Sequence, residues 1–292
     1  MTVRIDPQRF LETVLPVVRQ CAAASRVFYG DVADVGKKAD SSLTGQHAQQ
    51  ASSVLTVLDS AFQDLILGAV HSRFPSIRCI AEERTAMRRA FASNDSDYVV
   101  ILDPIDGTLH FQRGDAPYHV CVGLAHRGRM IAAVVARPDE DKLFTAIRGK
   151  GAWLQRGARP ARRLRLPKTP RTNRAFISTK ARSFQAPARS RLDPREHPIG
   201  AALVLTQLAE GALAAYLTRQ VEIYDVGPPS LIAEEAGATC FLDGGRRPNY
   251  DRRRKFPYYM SAATDDLKDF LLQIQREGKE AARPSKEPLI DE

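Results

Sequence analysis

Apolar residues at Phe10, Val14, Val17, Val18, Cys21 and Ala22 recur at helical spacing, which predicts a helix from about Asp6 to Tyr29. Pro16 lies inside that pattern and predicts a kink or a break into two pieces. Residues 30–46 are polar and turn-rich and read as a loop. Ala61, Phe62, Leu65, Ile66, Ala69 and Val70 line one face of a second helix, from about Asp59 to Arg73, with Pro75 just past its end. The period then changes. Residues 77–83 read as a short strand running into two acids, and residues 98–107 as strand and turn. Residues 119–155 read as an antiparallel meander interrupted by "HRGR", "RPDEDK" and "RGKG".

Beyond Arg165 the pattern shifts again. "RAFIST" predicts a strand, and "RSFQAPARSRLDPREHP" reads as irregular. "GAALVLTQLAEGALAAYL", residues 200–217, predicts a helix start and body. "VEIYDVGPPSLIAEEAGATCFL" reads as strand, turn, helix and strand. Residues 276–292 form a polar tail that predicts disorder. There are no internal repeats. Helices alternating with mostly antiparallel strands imply a layered α/β or α+β sandwich.

At 292 residues the chain suits one large domain or two packed subdomains. We divide it into an N-terminal part, 1–156, a C-terminal α/β part, 157–275, and the tail. No apolar run approaches the roughly 20 residues of a membrane span. The first residues carry early acids and no unbroken apolar stretch, so the chain reads as cytoplasmic. Its four cysteines are scattered without C-x-x-C spacing, which argues for reduced, buried thiols and against a disulfide framework or a zinc site. The formal net charge is +9, concentrated in Arg156–Arg174 and Gly244–Lys255. Such a surplus attracts anions, whether nucleic acid, acidic membrane or small phosphorylated molecules. The basic stretches lack interleaved aromatics, which argues against a nucleic-acid platform.

The chemistry lies in carboxylates. Glu82, Asp103, Asp106 and Asp225 each follow an apolar, strand-like run, where burying charge is costly. Strand ends converge, and clustered carboxylates repel one another unless a cation compensates them. Hard oxygen ligands suit magnesium, which commonly shares its coordination with a phosphate. In "DPIDGT", Asp103–Thr108, Pro104 stiffens the turn, Ile105 can offer its carbonyl, Gly107 permits a tight backbone, and a helix can start at its end. Taken alone this segment also reads as an Asp-rich turn or helix cap, and Glu82–Glu83 as a surface pair.

Order and spacing narrow the choice. An "AEE" about twenty residues before "LDPIDGTLHF", then "IRGKGAWLQRG", then "IYDVGPPSLIAEEAGA", resemble the inositol monophosphatase superfamily from about Leu55 to Leu242. "VLTVLD" resembles its T-x-x-D segment, with Thr56 and Asp59 in place. Thr44-x-x-His47 is the competing match, and it would put a histidine where a carboxylate is needed. The resemblance implies the αβαβα sandwich of the inositol monophosphatase and fructose-1,6-bisphosphatase type. It implies a lithium-sensitive, magnesium-dependent phosphomonoesterase acting on inositol or sugar phosphates, in a homodimer. Glu82, Asp103 and the Ile105 carbonyl would hold one magnesium ion, and Asp103, Asp106 and Asp225 a second, with room for a third beside Glu82. Asp59 and Thr108, with Glu82, would carry the catalytic roles, and Gly107, Thr108, Gly200, Ala201 and Arg219 would contact substrate.

The sequence also departs from the family pattern. Tyr224 replaces the tryptophan before Asp225, and Ala81 a glycine. Thr218 or Leu217 falls where inositol-specific members carry a glutamate. "FQRGD", Phe111–Asp115, resembles the 3'(2'),5'-bisphosphate nucleotidase branch, although Arg113 and Asp115 also read as a salt-bridged loop. A nucleotidase, and an inactive family member that binds or regulates, are the alternatives.

Overall fold

The first predicted helix forms in one piece. In the computed structural model, which describes residues 4–33, 35, 56–91, 95–195, 200–252 and 255–281, α1 runs from Pro7 to Phe28. Asp6 caps it, accepting from the Gln8 N–H at 3.0 Å. Pro16 does not break it, contrary to the sequence reading. That residue is exposed, so its ring and the missing N–H fall on the solvent face. α2 is Val57–Arg73. Phe10, Val14 and Val18 of α1 and Phe62, Ile66 and Val70 of α2 form one apolar cluster with the sheet beneath them.

That sheet has seven strands in chain order. β1 (Arg78–Ala81) is parallel to β2 (Tyr98–Asp106). β3 (His119–His126), β4 (Arg129–Arg137), β5 (Lys142–Ile147), β6 (Gly151–Arg156) and β7 (Arg162–Leu164) follow as antiparallel neighbours. The short helix α3 (Thr108–Arg113) joins β2 to β3. β7 lies beyond residue 156, inside the arginine-rich stretch. Part of the positive surplus is structural there: Arg156 and Arg162 reach Glu210 at 3.1 and 3.5 Å.

A second layer of helices, α4 (Ala201–Ala209) and α5 (Ile223–Ala236), covers the other face of this sheet. Their apolar side chains form a cluster with Val99, Ile101 and Cys121 on one side and Phe176, Tyr216 and Tyr259 on the other. The second sheet comprises β8 (Arg174–Ile177), β9 (Asp193–Arg195), β10 (Ala215–Glu222), β11 (Thr239–Phe241) and β12 (Lys255–Ala262), ordered β11-β12-β10-β8-β9. α6 (Asp265–Ala281) packs on its far face through Leu267, Phe270, Leu271 and Ile274. Helix, sheet, helix, sheet and helix thus alternate, as the sandwich reading expects.

Three sequence readings need correction. The helix expected over 200–217 ends at Ala209, and Ala215–Glu222 is a strand. Its alanines and leucines favour a helix locally, but Ala215–Leu217 pair with both β8 and β12, and that pairing decides the outcome. The stretch read as irregular, from Arg182 on, holds the end of a helical turn at Thr179–Phe184, a second turn at Gln185–Ala188 and the strand β9. α6 carries regular structure to Ala281, into the stretch read as tail. The loop expected over 30–46 and the competing Thr44–His47 match lie largely outside the described residues.

Deep between the layers, Ser230 of α5 joins two tyrosines. Tyr250 donates to its Oγ at 2.9 Å, Tyr259 bonds the same oxygen, and Ser230 itself donates to the Val226 carbonyl. All three residues are buried. Ser230→Ala should remove the partner that two buried hydroxyls share and cost about 2 kcal/mol, read as a lower denaturant midpoint at unchanged slope.

Candidate metal and phosphate site

β2 has no exposed residue along its length, yet it ends in two aspartates. In a regular strand, positions three apart face opposite sides. Here a bulge intervenes. Asp103 lies opposite Cys121 and Asp106 opposite His119, so β2 spends one more residue than β3 across this interval. Cys121 and His119 are two apart and share a face, so Asp103 and Asp106 do too. Pro104 suits the bulge because it has no N–H to leave unpaired. Asp103 Oδ1 fastens the bulge by accepting from the Ile105 N–H at 3.0 Å. The D-P-I-D spacing is therefore what brings both carboxylates to one side.

Their neighbours arrive from three other elements. β1 runs parallel to β2 in the register Ala81 to Leu102, which places Glu82 next to the Asp103 level, and the Glu82 N–H bonds the Leu102 carbonyl at 3.1 Å. Asp225 stands in the first turn of α5, which starts directly at the end of β10 with no intervening turn. Tyr216 of β10 faces the same cleft, its hydroxyl pushed up by burial and by the charges of Asp225 and Asp106. Lys180 also reaches this region, lowering Asp225 and donating to the Gln220 carbonyl at 3.3 Å.

Burial and mutual repulsion govern the electrostatics. Asp103 and Asp106 are 2% and 7% exposed. Asp103 is held well above the ordinary carboxylate range by burial, then by Glu82, Asp106 and Asp225. Asp225 moves up through burial, then Asp106 and Glu82. Asp106 is pushed up to about 7 by burial, and the Ala202 N–H and His110 pull it partly back. The protein's own cations leave all three raised, so the group lacks charge compensation. Among the described residues no three His, Cys, Asp or Glu side chains are gathered tightly enough to enclose an ion. The donor chemistry nevertheless fits a hard divalent cation: carboxylate oxygens from three strand or helix ends, and the Ile105 carbonyl beside them.

Thr108 opens α3, and Gly107 caps it at φ +95°, a conformation that favours glycine. The Thr108 hydroxyl lies 3.1 Å from Asp59 Oδ1 and 2.9 Å from the Ile105 carbonyl. Asp59 is fully buried at the first turn of α2, where its Oδ2 accepts from the Thr56 N–H and hydroxyl at 2.8 and 2.6 Å. Burial pushes Asp59 up to about 7, with Glu82 and Glu83 adding to the rise. The structure thus brings together Asp59, Thr108 and the Ile105 carbonyl, as the Thr56–Asp59 match anticipates.

Gly200 and Ala201 open α4 directly against this group. The Ala202 N–H donates to Asp106 Oδ2 at 2.8 Å, and a Cβ on Gly200 would overlap that carboxylate. Arg219 is placed otherwise. Tyr216 and Thr218 face the cleft side of β10, and Arg219 alternates to the opposite face, its guanidinium 5.1 Å from the Tyr258 ring centre. Its substrate role is not supported by this placement. Thr218, one of the two candidates for the position of the family's glutamate, is buried and donates to Ser178 at 2.8 Å. Ala202, Tyr216, Lys180 and His110 were missed by sequence reading. The alternation Tyr216, Thr218 towards Asp225 was the available signal for Tyr216, and the Ala202 contact is a backbone one that no residue type announces.

A model of the inositol monophosphatase family matches residues 14–277. Inositol monophosphatase 2 from Homo sapiens is 30% identical over 208 residues, covering 67% of this chain and 70% of that protein. The Nus factor SuhB of Pasteurella multocida is 28% identical over 207 residues, covering 65% and 73%. Among solved structures, the Thermotoga maritima IMPase superposes with a TM-score of 0.74 at 20% identity, over 93% of this chain and 98% of that one. An inositol monophosphatase-fructose 1,6 bisphosphatase superposes at 0.70 and 18% identity, over 92% and 100%.

Proposed function

The chain belongs to the inositol monophosphatase family, and from that premise we propose a magnesium-dependent phosphomonoesterase acting on small phosphorylated metabolites of the inositol- or sugar-phosphate type. The observation that carries this reading is the set of mutually repelling carboxylates, Asp103 and Asp106 buried and Asp225 half-buried beside them, left uncompensated by the protein. Glu82, Asp103, the Ile105 carbonyl, Asp106 and Asp225 would hold two magnesium ions, with a third near Glu82. Bound there, magnesium supplies Lewis acidity, which acidifies water and neutralises phosphoryl charge.

The remaining chemistry belongs to the chain. The Thr108 hydroxyl has one proton and two acceptors, Asp59 Oδ1 and the Ile105 carbonyl. With the proton directed to Asp59, the hydroxyl oxygen becomes an acceptor that orients an attacking water. Asp59, raised to about 7, is then suited to receive a proton at Oδ1 near neutral pH. Gly107 and Thr108 at the start of α3, with Gly200 and Ala201 at the start of α4, frame the place of the phosphate. The same family reading carries a cytoplasmic, lithium-sensitive homodimer. Among the described residues no helix is long and apolar enough to cross a membrane.

The test is phosphate release from inositol 1-phosphate, fructose 1,6-bisphosphate, 3'-phosphoadenosine 5'-phosphate and glycerol 2-phosphate, with magnesium and with chelator. Magnesium-dependent turnover that chelator abolishes is expected. Preference for the adenosine bisphosphate would move the chain to the nucleotidase branch. A folded, magnesium-binding protein without turnover would favour a binding or regulatory role.

A further inference from the structure

The F-Q-R-G-D stretch, Phe111–Asp115, plays no part in the chemistry above, yet it follows closely on Thr108. It forms the end of α3 and a fold-back at Gly114, whose N–H donates to the His110 carbonyl at 2.9 Å. There Asp115 Oδ1 stands 2.6 Å from His110 Nδ1, rather than making the expected ion pair with Arg113. α3 has six residues, too few for a helix to hold itself in place. Its position, and with it that of the Thr108 hydroxyl, must come from packing.

That packing is supplied by the end of α1. Phe111 is fully buried, and its carbonyl accepts from the Gly30 N–H at 2.9 Å. The Tyr29 ring stacks on Tyr118 with centres 5.2 Å apart and tilts against Phe111 at 6.2 Å. Its hydroxyl donates to the Ala116 carbonyl at 2.9 Å. One turn earlier in α1, Ser25 and the buried Tyr118 share a hydrogen bond between hydroxyls at 2.9 Å. Gly30 and Gly114 meet backbone to backbone. A Cβ on Gly30 would stand 3.2 Å from the Gly114 Cα, and one on Gly114 3.0 Å from the Gly30 Cα. Both also have left-handed backbones, at φ +79° and +65°. Pro117 and Tyr118 in turn lie against Gly107, which caps α3. The end of α1 thus grips α3 directly at Phe111 and, through Tyr118, at Gly107.

We propose that Tyr29 and Gly30 are positioning residues: the end of α1 sets where α3 stands and so holds the Thr108 hydroxyl on Asp59. The effect on rate rests on the phosphomonoesterase reading, and the effect on structure does not. The Thr108 hydroxyl lies 3.1 Å from Asp59 Oδ1, already long for such a bond, so a small shift of α3 breaks it.

The test uses the full chain and compares wild type with Gly30→Ala, Tyr29→Leu, Tyr29→Phe, Thr108→Ala and the Gly30→Ala/Thr108→Ala double variant. One readout is kcat on glycerol 2-phosphate with saturating magnesium. The other is amide hydrogen exchange over residues 107–114 without metal. Gly30→Ala should lower kcat about tenfold or more, and Tyr29→Leu by a smaller factor, since misplacing a reacting group by about 1 Å can cost about a hundredfold. Both should speed exchange in α3. Tyr29→Phe keeps the ring contacts and should stay within about threefold of wild-type kcat. In the Thr108→Ala background, Gly30→Ala should cost little further kcat, because it acts only through that hydroxyl. Ile5→Val, which loosens the buried residue at the other end of α1, should lower the melting temperature at wild-type kcat. Wild-type exchange in Gly30→Ala and Tyr29→Leu overturns the proposal. So do wild-type kcat in Gly30→Ala, full additivity in the double variant, or an equal kcat loss in Ile5→Val. A wild type that turns over nothing, with faster exchange in both variants, overturns the enzyme reading alone. If Gly30→Ala fails to fold, Tyr29→Leu, alone and with Thr108→Ala, decides the matter.

Discussion

Asp103→Asn should lower the rate of phosphate release about a thousandfold or more while raising the melting temperature of the metal-free protein. The two effects share one cause. Asp103 stands in the middle of the acidic group, with Glu82, Asp106 and Asp225 all acting to raise it. An amide of the same shape removes one repelling charge and leaves the Ile105 N–H an acceptor oxygen at its 3.0 Å bond. The folded chain without metal should gain. The same change removes the carboxylate that would serve both ions, and losing several kcal/mol of charge stabilisation in the transition state gives a rate loss of about that size.

The pH dependence follows in sign. Asp106 rises from 3.8 to about 7 in the folded chain, and Asp103 and Asp225 move the same way. The folded state therefore keeps protons that the unfolded chain begins to release near pH 4. The stability these groups contribute is full below that point and falls as pH rises towards 7. Magnesium should restore it, so its effect on the melting temperature should grow between pH 5 and about pH 8 in wild type and shrink in Asp103→Asn. Wild-type turnover by the variant, or an undiminished magnesium shift, would refute the assignment of Asp103.

Gly200→Ala should also be damaging, although it changes no charge. The added Cβ overlaps the Asp106 carboxylate, which is fixed by the β2–β3 pairing. α4 must then retreat, and the Ala202 N–H loses its 2.8 Å bond to Oδ2. Overpacking of this kind costs about 1–3 kcal/mol of stability, and misplacing one carboxylate of the site should cut kcat at least about tenfold. Normal kcat in Gly200→Ala would show that α4 does not set the Asp106 geometry.

Much of this site was legible before any fold was known. Asp103, Asp106, Glu82 and Asp225 each follow an apolar run, and burying a charge in such a place is expensive enough to demand a reason. The spacing of "DPIDGT" also predicted a strand, a turn and a helix start, and all three occur in that order. The pairing of Asp59 with Thr108 came from the family resemblance, and the two side chains stand 3.1 Å apart.

What stayed hidden depends on contacts between distant segments. Residues 210–217 carry alanines and leucines that favour a helix, and pairing with β8 and β12 makes Ala215–Glu222 a strand. That strand's alternation then turns Arg219 away from the cleft and Tyr216 towards it. Asp115 meets His110 only because the chain folds back at Gly114, and Asp106 meets Ala202 through a backbone N–H that carries no residue signature. The sequence by itself determined the acids, their order and the local turns that display them, since these follow from burial cost and backbone geometry. The tertiary structure alone decided which groups face those acids, since strand pairing and helix packing are set by partners far along the chain.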